Sequence, residues 1–89
     1  MRIISGTLGG RRITVPSNFK ARPTTDIARE ALFNILSNRY DFEELTVLDL
    51  FSGTGSVSLE FYSRGTTNLT SVELNPMHVS FIRKNFMEF

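Results

Sequence analysis

The stretch Val47–Ser56, V-L-D-L-F-S-G-T-G-S, limits the possible folds of this 89-residue chain more than any other. Apolar residues surround one acid, Asp49, and a run of small residues containing Gly53 and Gly55 follows directly. This pattern is typical of a buried strand that ends in a tight glycine turn, with a helix beginning near Ser56. In α/β proteins, a strand, a glycine turn and a helix form a ligand crevice at the carboxyl ends of the strands. We therefore expect the ligand site to lie around this turn.

The residues before this stretch predict a β-hairpin, a loop and a helix. Residues 2–5 and 11–15 are rich in β-branched side chains, and the glycines between them predict a turn with Arg11 and Arg12 near its tip. Residues 16–23 are predicted to be a loop. A first helix is expected to begin at one of the capping residues 24–26 and to end near Arg39. Its core-facing stripe is predicted to be Ala28, Ala31, Leu32, Ile35 and Leu36.

The second half of the chain predicts a β-α-β unit and a last helix, giving the order ββαβαβα. Strands are expected over 46–50 and 69–73, parallel and adjacent, with helices on both faces. The helix between them is predicted over about 56–64, ending at Gly65. Asn75 and Pro76 predict the cap and first turn of the last helix. The inner stripe of that helix is expected to be Val79, Ile82 and Phe86.

The net charge of +1 conceals two halves of opposite sign. Residues 1–40 carry seven Lys/Arg and two Asp/Glu, so 7 − 2 = +5, and residues 41–89 carry three and seven, so 3 − 7 = −4. A basic first half favours a polyanionic partner such as nucleic acid, although an ordinary solvated surface accounts for it equally well. The absence of cysteine excludes disulfides and thiolate metal sites. Without a long apolar run or a signal-peptide core, we expect a soluble, cytoplasmic protein.

The residue types at the glycine turn narrow the class of ligand. A nucleoside-triphosphate loop requires a lysine after its last glycine, whereas Ser56 and Val57 follow here. A dinucleotide fingerprint is only partly matched. Asp49 would repel a pyrophosphate and attract the ammonium and sulfonium of S-adenosylmethionine, by roughly 4 kcal/mol for charges about 4 Å apart at an effective dielectric of about 20. The turn therefore favours adenosylmethionine over a dinucleotide.

A second acid supports this interpretation. Glu73 follows Asp49 by 24 residues, at the end of the adjacent strand, where a carboxylate accepts ribose hydroxyls. Phe51 lies at the turn and is expected to line the pocket, whereas His78 is expected to be structural or exposed. Simple alternatives are a capping role for Asp49 and a solvated strand end for Glu73. An NAD-dependent oxidoreductase and a non-enzymatic RNA-binding module stay open as alternative functions.

Four segments form a specific combination: Arg22–Asp26 (R-P-T-T-D), Arg29–Leu36 (R-E-A-L-F-N-I-L), Leu48–Gly55 (L-D-L-F-S-G-T-G) and Val72–Glu73. Together they resemble the bacterial RsmD family of small-subunit (16S) rRNA guanine-N2 methyltransferases. The opening residues 2–13 are similar too, so the resemblance covers essentially the whole chain. It implies the N-terminal part of a Rossmann-like, class I S-adenosylmethionine-dependent methyltransferase fold. Residues 1–23 would be a basic β-hairpin and loop, and residues 24–89 the N-terminal half of the methyltransferase domain.

The resemblance also implies a set of cofactor and RNA contacts. The methionine part of adenosylmethionine would lie on the turn and the ribose on Glu73, while Thr24 and Thr25 would close over the cofactor unless they only cap the helix. The implied partner is small-subunit rRNA or a ribosomal subunit assembly intermediate. The implied cofactor contacts are Thr24, Thr25, Asp49, Phe51, Ser52, Gly53, Gly55, Glu73 and Leu74, and the implied RNA contacts are Arg11, Arg12, Lys20 and Arg22.

One family motif is missing from this sequence. Enzymes that methylate an exocyclic guanine nitrogen carry an Asn/Asp-Pro-Pro-aromatic motif, which receives the amino group and stacks on the base. Asn75-Pro76 is followed by Met77 and is a helix start, so no catalytic residue is assigned to this chain. We expect it to be the cofactor-binding half of a methyltransferase, inactive alone. Strand edges left uncovered would favour self-association.

Overall fold

The computed structural model describes residues 1–16, 24–50 and 52–89. Two parallel strands, β1 (Thr46–Leu50) and β2 (Asn68–Val72), pair with Asp49 opposite Ser71 and Leu50 opposite Val72. The predicted parallel β-α-β unit is confirmed. Phe51, Lys20, Arg22 and most of the predicted 16–23 loop lie outside the described residues. The elements are α1 (Asp26–Ser37), a 3₁₀ turn (Phe42–Glu44), β1 (Thr46–Leu50), α2 (Ser56–Ser63), β2 (Asn68–Val72) and α3 (Pro76–Glu88).

The helix boundaries follow the capping signals in the sequence. The Thr25 hydroxyl accepts a hydrogen bond from the Ala28 amide at 3.1 Å and caps α1. The Asn75 side chain accepts one from the Met77 amide at 3.0 Å, with Pro76 in the first turn of α3. α1 ends at Ser37, two residues before the predicted end. None of the described helices is long and apolar enough to cross a bilayer.

The predicted hairpin is present only as a short antiparallel pairing. Arg2 and Arg12 form one isolated bridge, and the Ile3 amide donates to the Arg11 carbonyl at 2.9 Å. The prediction of two full strands, with both arginines near the tip, was wrong: the tip is the turn over residues 5–10, and Arg12 lies in the paired part. The strands stay short because the amides that would extend them are bound elsewhere.

Helix α2 binds those amides. The Glu60 carboxylate accepts hydrogen bonds from the Ile4 amide at 2.8 Å and the Ser5 amide at 3.1 Å. The Ser63 hydroxyl donates to the Ser5 carbonyl at 2.5 Å. Gly6 has φ +85°, and a Cβ there would overlap the Ser63 carbonyl. The hairpin therefore docks on α2 through its backbone, and only glycine allows this closeness.

Apolar side chains complete this docking. Ile3, Leu8 and Ile13 of the hairpin form one buried cluster with Leu59 of α2. The cluster therefore joins both arms and the turn of the hairpin to α2. Partly buried apolar residues around the cluster are Met1, Phe81, Phe86 and Phe89.

The apolar stripe predicted for α1 does not face the core. Leu32 and Ile35 are exposed, and the buried residues of α1 are Arg29 and Phe33. Phe33 packs against Phe42 and Phe61, with ring centroids 5.9 and 4.7 Å apart. The helix is rotated toward this aromatic cluster because Arg29, on the same face as Phe33, binds the buried carboxylate of Glu60. The other predicted stripe residues, Ala28 and Ala31, are exposed, and Leu36 is half-buried.

One face of the sheet is also open, against the prediction of helices on both faces. Leu48 and Leu50 are 61% and 57% exposed, and Val72 lies on the same face. The opposite face is covered by α2, whose Ser58 hydroxyl lies 2.6 Å from both the Asp49 carboxylate and the Ser71 hydroxyl. The chain therefore leaves an apolar surface on one side of β1 and β2.

Candidate functional site

The glycine turn continues directly from the sheet. The Ser52 amide donates to the Val72 carbonyl at 2.9 Å, which extends the pairing of β1 and β2 beyond the strand ends. The Ser52 hydroxyl donates to the Asp49 carbonyl at 2.9 Å, and the Gly55 amide donates to the Ser52 carbonyl at 2.8 Å. These bonds fix the turn relative to both strands.

Gly55 lets α3 approach this turn closely. Its φ is +78°, a conformation that residues with a side chain rarely adopt. A Cβ at this position would lie 2.9 Å from Cγ1 of Ile82 in α3. Gly55 is also the N-cap residue of α2, without a side-chain cap. The second glycine is therefore required both by the backbone conformation and by packing.

Glu73 ties the turn to the start of α3. One carboxylate oxygen, Oε1, accepts a hydrogen bond from the Gly53 amide at 2.8 Å. The other, Oε2, accepts one from the Asn75 amide at 3.0 Å and lies 3.4 Å from Nδ1 of His78. The amides of Asn75 and Gly53, followed by His78, hold the pKa of Glu73 below its ordinary value. Glu73 is thus a charged, oriented carboxylate rather than a solvated strand end.

Asp49 lies on the covered face of the sheet and is half-buried. Its Oδ2 accepts a hydrogen bond from the Ser58 hydroxyl at 2.6 Å, and that hydroxyl lies 2.6 Å from the Ser71 hydroxyl. Asp49 therefore does not cap α2, because the cap position belongs to Gly55. Two carboxylates, Asp49 and Glu73, lie at or next to the carboxyl ends of adjacent parallel strands.

Thr24 and Thr25 line a cavity between the hairpin and the start of α1. Its volume is about 580 Å³, and Met1 is part of its lining. Met1 also accepts a weak hydrogen bond at its sulfur from the Thr54 hydroxyl of the turn, at 3.5 Å. The cavity therefore adjoins the glycine turn through Met1, while the Thr25 hydroxyl serves as the helix cap.

The remaining predicted contacts lie on the surface. Leu74 is 85% exposed, next to Glu73. Arg11 and Arg12 are exposed on the hairpin, and the Arg11 guanidinium lies 5.3 Å from the ring centroid of Phe89. The structure thus brings Gly53 and Glu73 into direct contact, while Arg11 and Arg12 lie on the hairpin, where Arg12 also lines the cavity of Thr24 and Thr25.

Sequence reasoning missed a buried charge cluster behind the site. Glu60 and Arg29 are both fully buried, and an Arg29 Nη1–Glu60 Oε1 distance of 3.5 Å joins α1 to α2. Arg64 donates to Glu60 at 2.8 Å, and Arg29 also binds Asp26. The i,i+4 spacing of Glu60 and Arg64 was a visible signal, but that spacing usually marks an exposed pair.

Comparison with known proteins identifies similar chains. A sequence model of the family described as conserved hypothetical protein 95 matches residues 1–89. Ribosomal RNA small subunit methyltransferase D of Escherichia coli (strain K12) is 40% identical over 75 residues, which are 84% of this chain and 37% of that protein. The protein of the same name from Buchnera aphidicola subsp. Baizongia pistaciae is 36% identical over 84 residues, 94% of this chain and 42% of that protein.

A solved structure shows the same likeness. The methyltransferase yhhF from Escherichia coli superposes with a TM-score of 0.82 at 32% identity, covering 99% of this chain and 46% of that chain. The chain therefore spans less than half the length of these relatives. Since the family model matches from the first residue to the last, the chain belongs to the family described as conserved hypothetical protein 95, the RsmD family.

Proposed function

We propose that this chain is the S-adenosylmethionine-binding portion of a methyltransferase that modifies a guanine N2 of small-subunit rRNA. The observation that carries the proposal is the pair of carboxylates around the glycine turn. Asp49 lies in β1, and Glu73 directly follows β2 and binds the Gly53 amide. The relatives named above are rRNA methyltransferases.

The residues present fit this cofactor. Adenosylmethionine carries an ammonium and a sulfonium, and its ribose offers hydroxyl donors, so two carboxylates form a suitable set of acceptors. A carboxylate oxygen accepts more than one hydrogen bond, so Glu73 keeps acceptor capacity beside its amide partners. Within residues 46–58 no lysine or arginine is present to bind a pyrophosphate. This set of acceptors therefore favours adenosylmethionine over NAD.

Each part of the turn has a distinct role in the proposed complex. Asp49, Ser52, Gly53 and Gly55 would hold the methionine part, and Glu73 would accept the ribose hydroxyls. Phe51 and Leu74 would border the pocket, and Thr24 and Thr25 would close it from the α1 side. The bound cofactor would supply an activated methyl group. The protein's contribution to such a displacement is mainly positioning.

The proposed RNA partner is small-subunit rRNA or a ribosomal subunit assembly intermediate in the cytoplasm. Arg11 and Arg12 are exposed on the hairpin, where cations can bind phosphates without entering the cofactor turn. Lys20 and Arg22 belong to the same proposed surface. The base-receiving motif is not in this sequence, so we propose that the 89-residue chain alone transfers no methyl group.

Titration calorimetry tests the cofactor assignment. We expect the chain to bind adenosylmethionine and not NAD, with Asp49→Asn and Glu73→Gln each weakening binding roughly 10-fold or more, since a charge-assisted hydrogen bond is worth about 1.5–3 kcal/mol. Glu44→Gln removes the same charge from an exposed position and is the matched control. Tighter binding of NAD would refute the proposal, and RNA binding without any cofactor binding would favour the RNA-binding module.

A further inference from the structure

A separate cavity, of about 420 Å³, lies between the hairpin and the C-terminal half of α3. Its polar lining includes Arg11 and Arg12 of the hairpin and Lys84 and Asn85 of α3, and Phe81 and Phe89 supply aromatic surface. None of its lining residues belongs to the glycine turn or to β1 and β2. Its size falls within the range of small-ligand pockets, about 300–1,000 Å³.

The charges around this cavity favour an anion. Arg11, Arg12 and Lys84 carry three positive charges, against one carboxylate, Glu88. The Arg11 guanidinium is stacked over Phe89, 5.3 Å from the ring centroid, which orders a long side chain before any ligand arrives. Proteins that bind single-stranded nucleic acids combine cations, which bind the phosphates, with aromatic rings, which stack on the bases.

Asn85 supplies a separate observation that points to a ligand. Asn85 as a whole residue is 5% exposed, and its buried Nδ2 has no hydrogen-bond partner within the described part of the chain. Buried polar atoms are nearly always paired, because an unpaired one loses its bonds to water and gains nothing. Since χ2 of asparagine has a broad well, the amide can turn toward an acceptor in the cavity without backbone movement.

We propose that this cavity binds one unpaired nucleotide of an RNA strand, with its phosphate on Arg11, Arg12 and Lys84 and its base edge on the Asn85 amide. The proposal rests on the proposed RNA partner and deepens it, because it places a nucleotide-binding subsite on α3 rather than on the hairpin alone. The aromatic surface of Phe89 suits stacking with an unpaired base, which is how proteins usually recognise single-stranded RNA.

Two adjacent cations of α3 provide a matched test of the phosphate contact. Lys84 lines this cavity, whereas Arg83 lines a different one, beside β2, and both are exposed. Binding of a short fluorescent oligoadenylate is measured by anisotropy at several salt concentrations. Lys84→Gln is expected to weaken binding and to lower the slope of log K against log salt by about one. Arg83→Gln is expected to change neither.

Asn85→Leu tests the base contact. Leucine has a similar volume and no unpaired amide, so the variant is expected to keep or raise the melting temperature. Its affinity for oligoadenylate is expected to fall about 2- to 10-fold, the worth of one hydrogen bond, with no change for an abasic oligomer of the same length. Lys84→Gln should weaken binding to both oligomers. Should Asn85→Leu fail to fold, Asn85→Ser replaces it in the same comparison.

The outcomes separate this inference from the proposed function. In one outcome the chain binds oligoadenylate, Arg12→Gln lowers the affinity, and Lys84→Gln and Asn85→Leu bind like wild type. This outcome refutes the subsite and leaves the proposed RNA partner standing. An equal loss of oligoadenylate affinity in Lys84→Gln and Arg83→Gln also refutes the subsite, because binding then depends only on the total positive charge. If no RNA binds at low salt, both proposals about RNA fail, while cofactor binding is judged by calorimetry alone.

Discussion

Replacing Glu60 by alanine should destabilise this protein more than any other single change to a charged residue. The carboxylate is fully buried and joins three parts of the chain. It accepts hydrogen bonds from the hairpin amides of Ile4 and Ser5 at 2.8 and 3.1 Å. It also binds Arg64 at 2.8 Å and Arg29 at 3.5 Å. Its loss leaves Arg29 buried without its α2 partner.

The expected magnitude follows from these partners. Removing one member of a buried ion pair costs about 3–5 kcal/mol, because the remaining charge stays buried without its partner. An 89-residue domain has a total stability of about 4–13 kcal/mol, at roughly 0.05–0.15 kcal/mol per residue. Its unfolding entropy is about 0.19 kcal/mol/K, from roughly 2.1 cal/mol/K per residue. Glu60→Ala should therefore lower the melting temperature by roughly 15–27 °C.

Thermal unfolding followed by far-ultraviolet circular dichroism measures this change. Glu60→Gln keeps the volume and one carbonyl acceptor but removes the charge, so its melting temperature should lie between those of wild type and Glu60→Ala. Glu30→Gln on α1 removes the same charge from an exposed site and should change it by little. A melting temperature for Glu60→Ala within a few degrees of wild type would refute the reasoning, since the hairpin would then not depend on this carboxylate.

Three further predictions concern the turn and the open face. Because the folded pKa of Glu73 is lowered, the contribution of this carboxylate to stability is complete above its ordinary pKa of 4.5 and is lost as pH falls through the lower folded pKa. Urea midpoints measured from neutral pH downward should show this loss, and Glu73→Gln should reduce it. Gly55→Ala should lower the melting temperature more than Gly10→Ala: both have positive φ, but only at Gly55 would the Cβ meet a neighbour, Ile82 at 2.9 Å. Equal losses would show that backbone strain alone matters. Leu50→Lys on the open face should reduce self-association in light scattering, whereas a monomeric wild type would contradict the expected association.

The local elements of the chain were predictable because their signals are local. Thr25, Asn75 and Pro76 give helix starts through their own side chains, and the observed caps agree. The strand at 46–50 follows from a run of apolar residues, and the turn after it from two glycines. The pairing of Gly53 with Glu73 was not predictable, because it joins an amide and a carboxylate 20 residues apart.

The exposed stripe of α1 shows why periodicity alone fails. Leu32 and Ile35 have the spacing of a core face, yet Phe33 and Arg29 are buried instead. Spacing identifies an amphipathic helix but does not say which neighbour it will meet. Here an aromatic cluster with Phe42 and Phe61 and the buried Glu60 carboxylate decide the rotation.

Residue types and their spacing are enough to predict the strand, glycine turn and helix of residues 46–63 and the acids, Asp49 and Glu73, that accompany them. Such signals act over a few positions along the chain. Three other features appear only in the folded molecule: Glu60 binds the hairpin backbone, one sheet face is open, and Asn85 is buried beside Lys84. Such features depend on contacts between distant segments, whose free energies arise only when the elements pack together.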